Sequence, residues 1–217
     1  MNKSRLENLS DGVFAIVFTI LVFDIHVPAI ADKLSSKLLF AEIVNLEPLF
    51  VAYVVSFIIL TTFWISHHAL YHLFVRVVNR QMILINLIYL MFISLIPFSA
   101  QLIGSYPSNK AAIVFYGIHI ICIALVSWCA VWYAARAKEI AHPKIERRML
   151  AQAKVRITLP IIFSLLGMAV TFISLPFDLP LAHFFFAFPI VFNAIPGSLN
   201  FVERILGFSL GKEKDDE

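Results

Sequence analysis

Apolar residues fall along this chain in blocks of about 20, too long for strands and without the period-two alternation of a barrel wall. The blocks lie at 10–27, 48–73, 81–103, 111–133, 157–175 and 179–195. Each reads as one membrane-crossing helix, so the pattern predicts an all-α integral membrane protein with six transmembrane helices. Polar and helix-breaking residues set the limits. Pro28 stops the first block, Tyr106-Pro107-Ser108-Asn109 turns the chain between the third and fourth, and 175–180 makes a very short turn between the last two. Pro160 and Pro189 lie inside spans, where neighbouring helices satisfy the freed carbonyls. Residues 1–206 thus read as one transmembrane domain and 207–217 as a charged cytoplasmic tail. Segment 32–47 patterns as a short amphipathic helix outside the membrane, and 138–156 as a charged helical connection.

Composition agrees with that reading. Of 217 residues, 60% are hydrophobic and 14% charged, with a mean hydropathy of +0.87. No water-soluble fold of this size hides so much apolar surface. The net charge of +3 calls for no nucleic-acid partner; its distribution is what informs. Fourteen of the 17 Lys and Arg residues fall on one side of the predicted spans, and only Lys33, Lys37 and Lys110 on the other. The positive-inside rule then puts both termini in the cytoplasm of a multi-pass plasma-membrane protein. Ala29-Ile30-Ala31 after a basic start also fits a cleavable signal peptide. Glu7 and Asp11 intrude on its apolar run, and its loss would invert one end, so the uncleaved reading is preferred. Cys122 and Cys129, seven apart, share a helix face as small hydrophobes.

The first block carries polar groups where a passive anchor has none. Arg5, Ser10 and Asp11 stand within two turns, and ionised groups at membrane depth cost several kcal/mol unless paired or hydrated. With the helix opening near Ser10, Ser10 and Asp11 are expected to cap its free amides, and Asp24 to collect cations at the outer mouth. Ile16, Ile20 and Phe23 recur at helical spacing with Thr19 beside them, a stripe that periodicity alone assigns to lipid or core. His67 in the second span and Asn86 in the third sit at the depth of Asp11, and His67 is expected to hydrogen-bond Asp11 or Arg5. An Arg5–Asp11–His67–Asn86 cluster, with Ser10, would fix three helices in register. His68 and His72, four apart, have metal-ligand spacing, yet the other histidines are scattered singly, so no metal site is expected. His119 reads as a satisfied core residue rather than a haem ligand.

Arg5-x-x-x-Leu9-Ser10-Asp11-Gly12-Val13-Phe14-Ala15-Ile16 with Thr19 downstream resembles the R-x-x-x-F-S-D motif of the lysosomal and bacterial potassium channels of the transmembrane protein 175 family. Trp64-x-x-His67-x-x-Leu70-Tyr71, Leu84-Ile85-Asn86-Leu87 and Leu95-Ile96-Pro97-Phe98 extend the likeness, which follows all six predicted spans in order. Leu9 replaces the usual Phe and keeps its bulk and apolarity. The resemblance implies a potassium-selective channel, built as a homotetramer, in which the first helix of each subunit lines the pore. It places the hydrophobic constriction on Ile16, Ile20 and Phe23, where relatives commonly carry Leu, the pore threonine on Thr19, and a structural cluster on Arg5, Ser10, Asp11, His67 and Asn86. The chain has no TVGYG filter, so selection would rest on partial dehydration at the apolar ring. A secondary transporter or proton-coupled cation carrier is the alternative, since ionisable groups at membrane depth also serve relays. The expected partners are the lipid bilayer, other copies of the chain and permeant potassium ions; no enzymatic activity and no cofactor are expected.

Overall fold

The structure is a computed structural model that describes residues 2–26, 36–137, 139–142, 147–173 and 185–189. The described chain is helical: α1 (Lys3–Ile20), α2 (Ser36–Asn45), α3 (Glu47–Ala69), α4 (Arg80–Ser94), α5 (Ile96–Ser105), α6 (Lys110–Arg136) and α7 (Arg147–Thr171). A 3₁₀ turn over Leu21–Asp24 extends α1, and a π turn over Leu70–Phe74 extends α3. Five stretches are long and apolar enough to cross a membrane: Lys3–Asp24, Glu47–Phe74, Arg80–Ser105, Lys110–Arg136 and Met149–Thr171. The sixth predicted span, 179–195, lies mostly outside the described residues, as do Pro28 and the 207–217 tail.

Local chemistry explains the boundaries. Asn79 caps α4 by accepting from the Met82 amide at 3.0 Å, and Asn109 caps α6 by accepting from the Ala111 amide at 2.9 Å. Asn79 also donates to the Tyr133 hydroxyl at 2.6 Å, which fastens the start of α4 to the end of α6. The expected turn at 106–109 stands between α5 and α6. The third span, predicted as one helix, is two. Pro97 has no amide for the Ile93 carbonyl, and its ring crowds the preceding turn, so α4 stops and α5 starts afresh at Ile96. The first and fifth helices begin earlier than their apolar blocks, at Lys3 and Arg147, because polar residues continue a helix once its apolar half is packed.

α6 is the centre of the bundle, packing along α7, α4 and α5, while α3 lies against α5 and α1 against α4 and α3. Gly104 sets the α3–α5 distance: a Cβ there would stand 2.9 Å from Leu49 and 3.1 Å from Ala52. Buried polar groups meet across helices rather than pointing at lipid. Ser56 and Tyr116 join α3 to α6 at 2.8 Å, and His119 reaches Ser99 at 2.8 Å and the Phe92 carbonyl at 2.9 Å. Both His119 ring nitrogens are therefore partnered, beside the break that Pro97 makes.

Candidate functional site: the two faces of the first helix

The sequence of α1 divides it lengthwise. Leu6, Ser10, Phe14, Val17 and Leu21, spaced by three or four, are all buried. Phe14 packs into an aromatic box, its ring 5.9 Å from that of His67 and 6.1 Å from that of Tyr89, and the His67 and Tyr89 rings stack at 5.2 Å. Tyr89 anchors the box by donating to the Phe63 carbonyl of α3 at 3.1 Å.

Within this buried face runs a directional chain of hydrogen bonds. His67 Nε2 stands 2.7 Å from Asn86 Oδ1. An amide oxygen only accepts, so Nε2 carries the proton and donates. Asn86 Nδ2 then donates to Ser10 Oγ at 3.1 Å, and Ser10 Oγ donates to the Leu6 carbonyl at 2.9 Å. Ser10, Asn86 and His67 are 0%, 3% and 7% exposed, so no solvent competes for these partners. Helix-to-helix bonds of this kind contribute roughly 0.6–2 kcal/mol each in a membrane. The chain ties α1, α4 and α3 together at one level.

The structure therefore brings together Ser10, Asn86 and His67, and it corrects three expectations about their neighbours. Ser10 and Asp11 do not cap α1, because the helix starts at Lys3 and both stand two turns inside it. His67 bonds Asn86 rather than Asp11 or Arg5. Asp11 lies on the exposed side of the helix, and its Oδ1 accepts from Trp64 Nε1 at 3.0 Å. Arg5 is exposed and makes no hydrogen bond or ion pair with any described residue; the ion pair of this turn joins Lys3 and Glu7 at 4.0 Å. Trp64 is the participant that residue-by-residue reasoning passed over. Its position one turn before His67 was the available signal, because residues three apart share a helix face.

The opposite face is open. Ile16, Ile20 and Phe23 are 58%, 40% and 71% exposed, and a Cβ placed on Gly12 would meet nothing within 4 Å. Thr19 shares this face, and its hydroxyl proton is used within the helix, donated to the Ile16 carbonyl at 2.8 Å. Asp24 is turned differently: its Oδ2 is buried without a partner among the described residues, beside a small cavity bounded by Leu49, Tyr53 and Gln101. Among the described residues no three His, Cys, Asp or Glu side chains are grouped to hold a metal. The His68 and His72 rings lie parallel, 6.0 Å apart.

The model of the endosomal/lysosomal potassium channel TMEM175 family matches residues 5–97, the part that contains most of α1, the hydrogen-bonded chain and Pro97. A potassium channel of Streptomyces collinus is 30% identical over 90% of this chain and 95% of its own length. A potassium channel of a Chryseobacterium species is 33% identical over 79% of this chain and 84% of its own. The crystal structure of a lysosomal potassium-selective channel TMEM175 homolog from Chamaesiphon minutus superposes with a TM-score of 0.70 at 25% identity, covering 93% of this chain and 97% of that one. Fold, motif and full-length similarity agree, and this multi-pass membrane protein belongs to the TMEM175 family of potassium channels.

Proposed function

We propose that this chain forms a potassium-selective channel as a homotetramer, with the open face of α1 from each copy lining the path. The observation that carries the reading is the division of α1. One side is locked to α3 and α4 through Ser10, Asn86 and His67, and the other leaves Ile16, Ile20 and Phe23 uncovered within the chain. A lone helix face cannot enclose a path, so copies must converge on it. Gly12 supports this: Gly inside a helix costs about 1 kcal/mol against Ala, and within the protomer nothing crowds it. Close approach of another copy gives it a reason.

At the apolar ring an ion sheds part of its water with no carbonyls to replace it, and a ring of this kind also gates by dewetting. Potassium surrenders water more readily than sodium, so selection arises from that penalty, eased by the exposed Thr19 hydroxyl. Asp24 contributes to the outer mouth only in part, since one of its oxygens is turned into the bundle. Both termini lie in the cytoplasm, following the distribution of Lys and Arg, and the membrane is the plasma membrane. The test is the reversal potential of the purified full chain in planar bilayers under a potassium–sodium gradient. Discrete single-channel steps reversing near the potassium equilibrium potential are expected; saturable uptake into liposomes without steps would favour a carrier.

A further inference from the structure

At the basic end of the bundle, α7 packs along α6 and leaves a cleft against α3 that no polar network among the described residues fills. The cleft has a volume of about 120 Å³. One α7 stripe, Gln152, Ala153 and Arg156, faces Ala69 and Leu73 of α3 across it, with Val131 of α6 behind. Small residues on both sides, Ala153 and Ala69, keep it open. Beside Phe74, which lines it, the Arg76 amide donates to the Ile140 carbonyl at 2.7 Å and the His142 amide to the Phe74 carbonyl at 2.9 Å, joining the α3–α4 and α6–α7 connections.

We infer that this cleft holds one anionic phospholipid, with an acyl chain on the Ala69–Leu73–Val131 wall and the phosphate at Arg156. Two features select that chemistry. A space of about 120 Å³ would take several waters at roughly 15 Å³ each, yet most of its wall offers them no hydrogen bond. Arg156 at the rim is exposed and has no ion pair with any described residue, so its guanidinium is available for a bidentate phosphate contact. The position also suits a lipid. Arg76, Arg80, Arg136 and Lys154 lie at the same end, and basic clefts between spanning helices on the cytoplasmic side take anionic headgroups.

The experiment is native mass spectrometry of the full chain in detergent with phosphatidylglycerol and phosphatidylcholine of identical acyl chains. The wild type is expected to retain phosphatidylglycerol about fivefold better, the contribution of one well-placed cation. Arg156→Gln should abolish that preference, Arg156→Lys should keep most of it, and Lys154→Gln, two residues away and so on another face of α7, should leave it intact. Ala153→Phe should reduce retention of both lipids; should that variant fail to assemble, Ala69→Leu makes the same obstruction from α3. A preference unchanged in Arg156→Gln overturns the proposal, as does equal retention of the two lipids by the wild type. Displacement of the lipid by millimolar inorganic phosphate also overturns it, because the apolar wall would then have no part in binding.

Discussion

The two sides of α1 are made from neighbouring residues and obey different rules. On the locked side each polar group is paired in turn: His67 donates to Asn86, Asn86 to Ser10, and Ser10 to its own helix. On the open side large apolar residues alternate with Gly12 and Thr19, and the described chain covers none of them. Stability is concentrated on one side, and the proposed selection on the other. The lesson is separability: changes to the first side should act on assembly and changes to the second on permeation.

The harshest test of that separation is Asn86→Leu. It removes both bonds of the central amide and leaves His67 and Ser10 without their mutual link. A loss of about 2–4 kcal/mol is expected from two buried partners stranded at once, read as a lower melting temperature and a reduced yield of assembled protein. Ile16→Asn, on the open side, should leave the melting temperature within about a degree or two. It should raise relative sodium permeability by roughly tenfold, equal to about 1.4 kcal/mol of lost discrimination, read from the reversal potential. Thr19→Val keeps shape and removes the hydroxyl; a fall of about threefold in potassium preference, with no loss of assembly, is expected, since its bond is to its own helix. Trp64→Phe deletes the half-exposed bond to Asp11 and should cost about 0.5 kcal/mol or less in stability. Selectivity lost in Asn86→Leu channels that assemble normally would break the division, as would an Ile16→Asn protein that fails to assemble.

How far the sequence alone carried this picture differs along the chain. The spans of α3 and α6 were legible to within a few residues, because long apolar runs end at recognisable stops such as Pro48 and the 106–109 turn. The level shared by Ser10, His67 and Asn86 was legible from topology. Their pairing was not, because it depends on rotation about the helix axes: α1 is turned so that Ser10 meets Asn86 and Asp11 meets Trp64. Depth and the resemblance both point to Arg5 in the cluster, yet neither fixes its rotation about the helix axis, and Arg5 lies on the exposed side of α1. The break at Pro97 was visible in the residues but not weighted, since a proline inside a spanning helix is often tolerated. The exposure of Ile16 and Phe23 could not be read from periodicity, which does not distinguish lipid-facing from path-facing stripes.

The central claim is that the open face of α1 borders the ion path, and cysteine accessibility tests it most directly. In a chain whose Cys122 and Cys129 are replaced by Ala, Phe23→Cys and Val22→Cys differ by one position on neighbouring sides of the same turn. A cationic, water-soluble thiol reagent is predicted to block current through Phe23→Cys channels and to leave Val22→Cys channels conducting. Block at Val22→Cys with Phe23→Cys unaffected would contradict the account and assign the path to a different face.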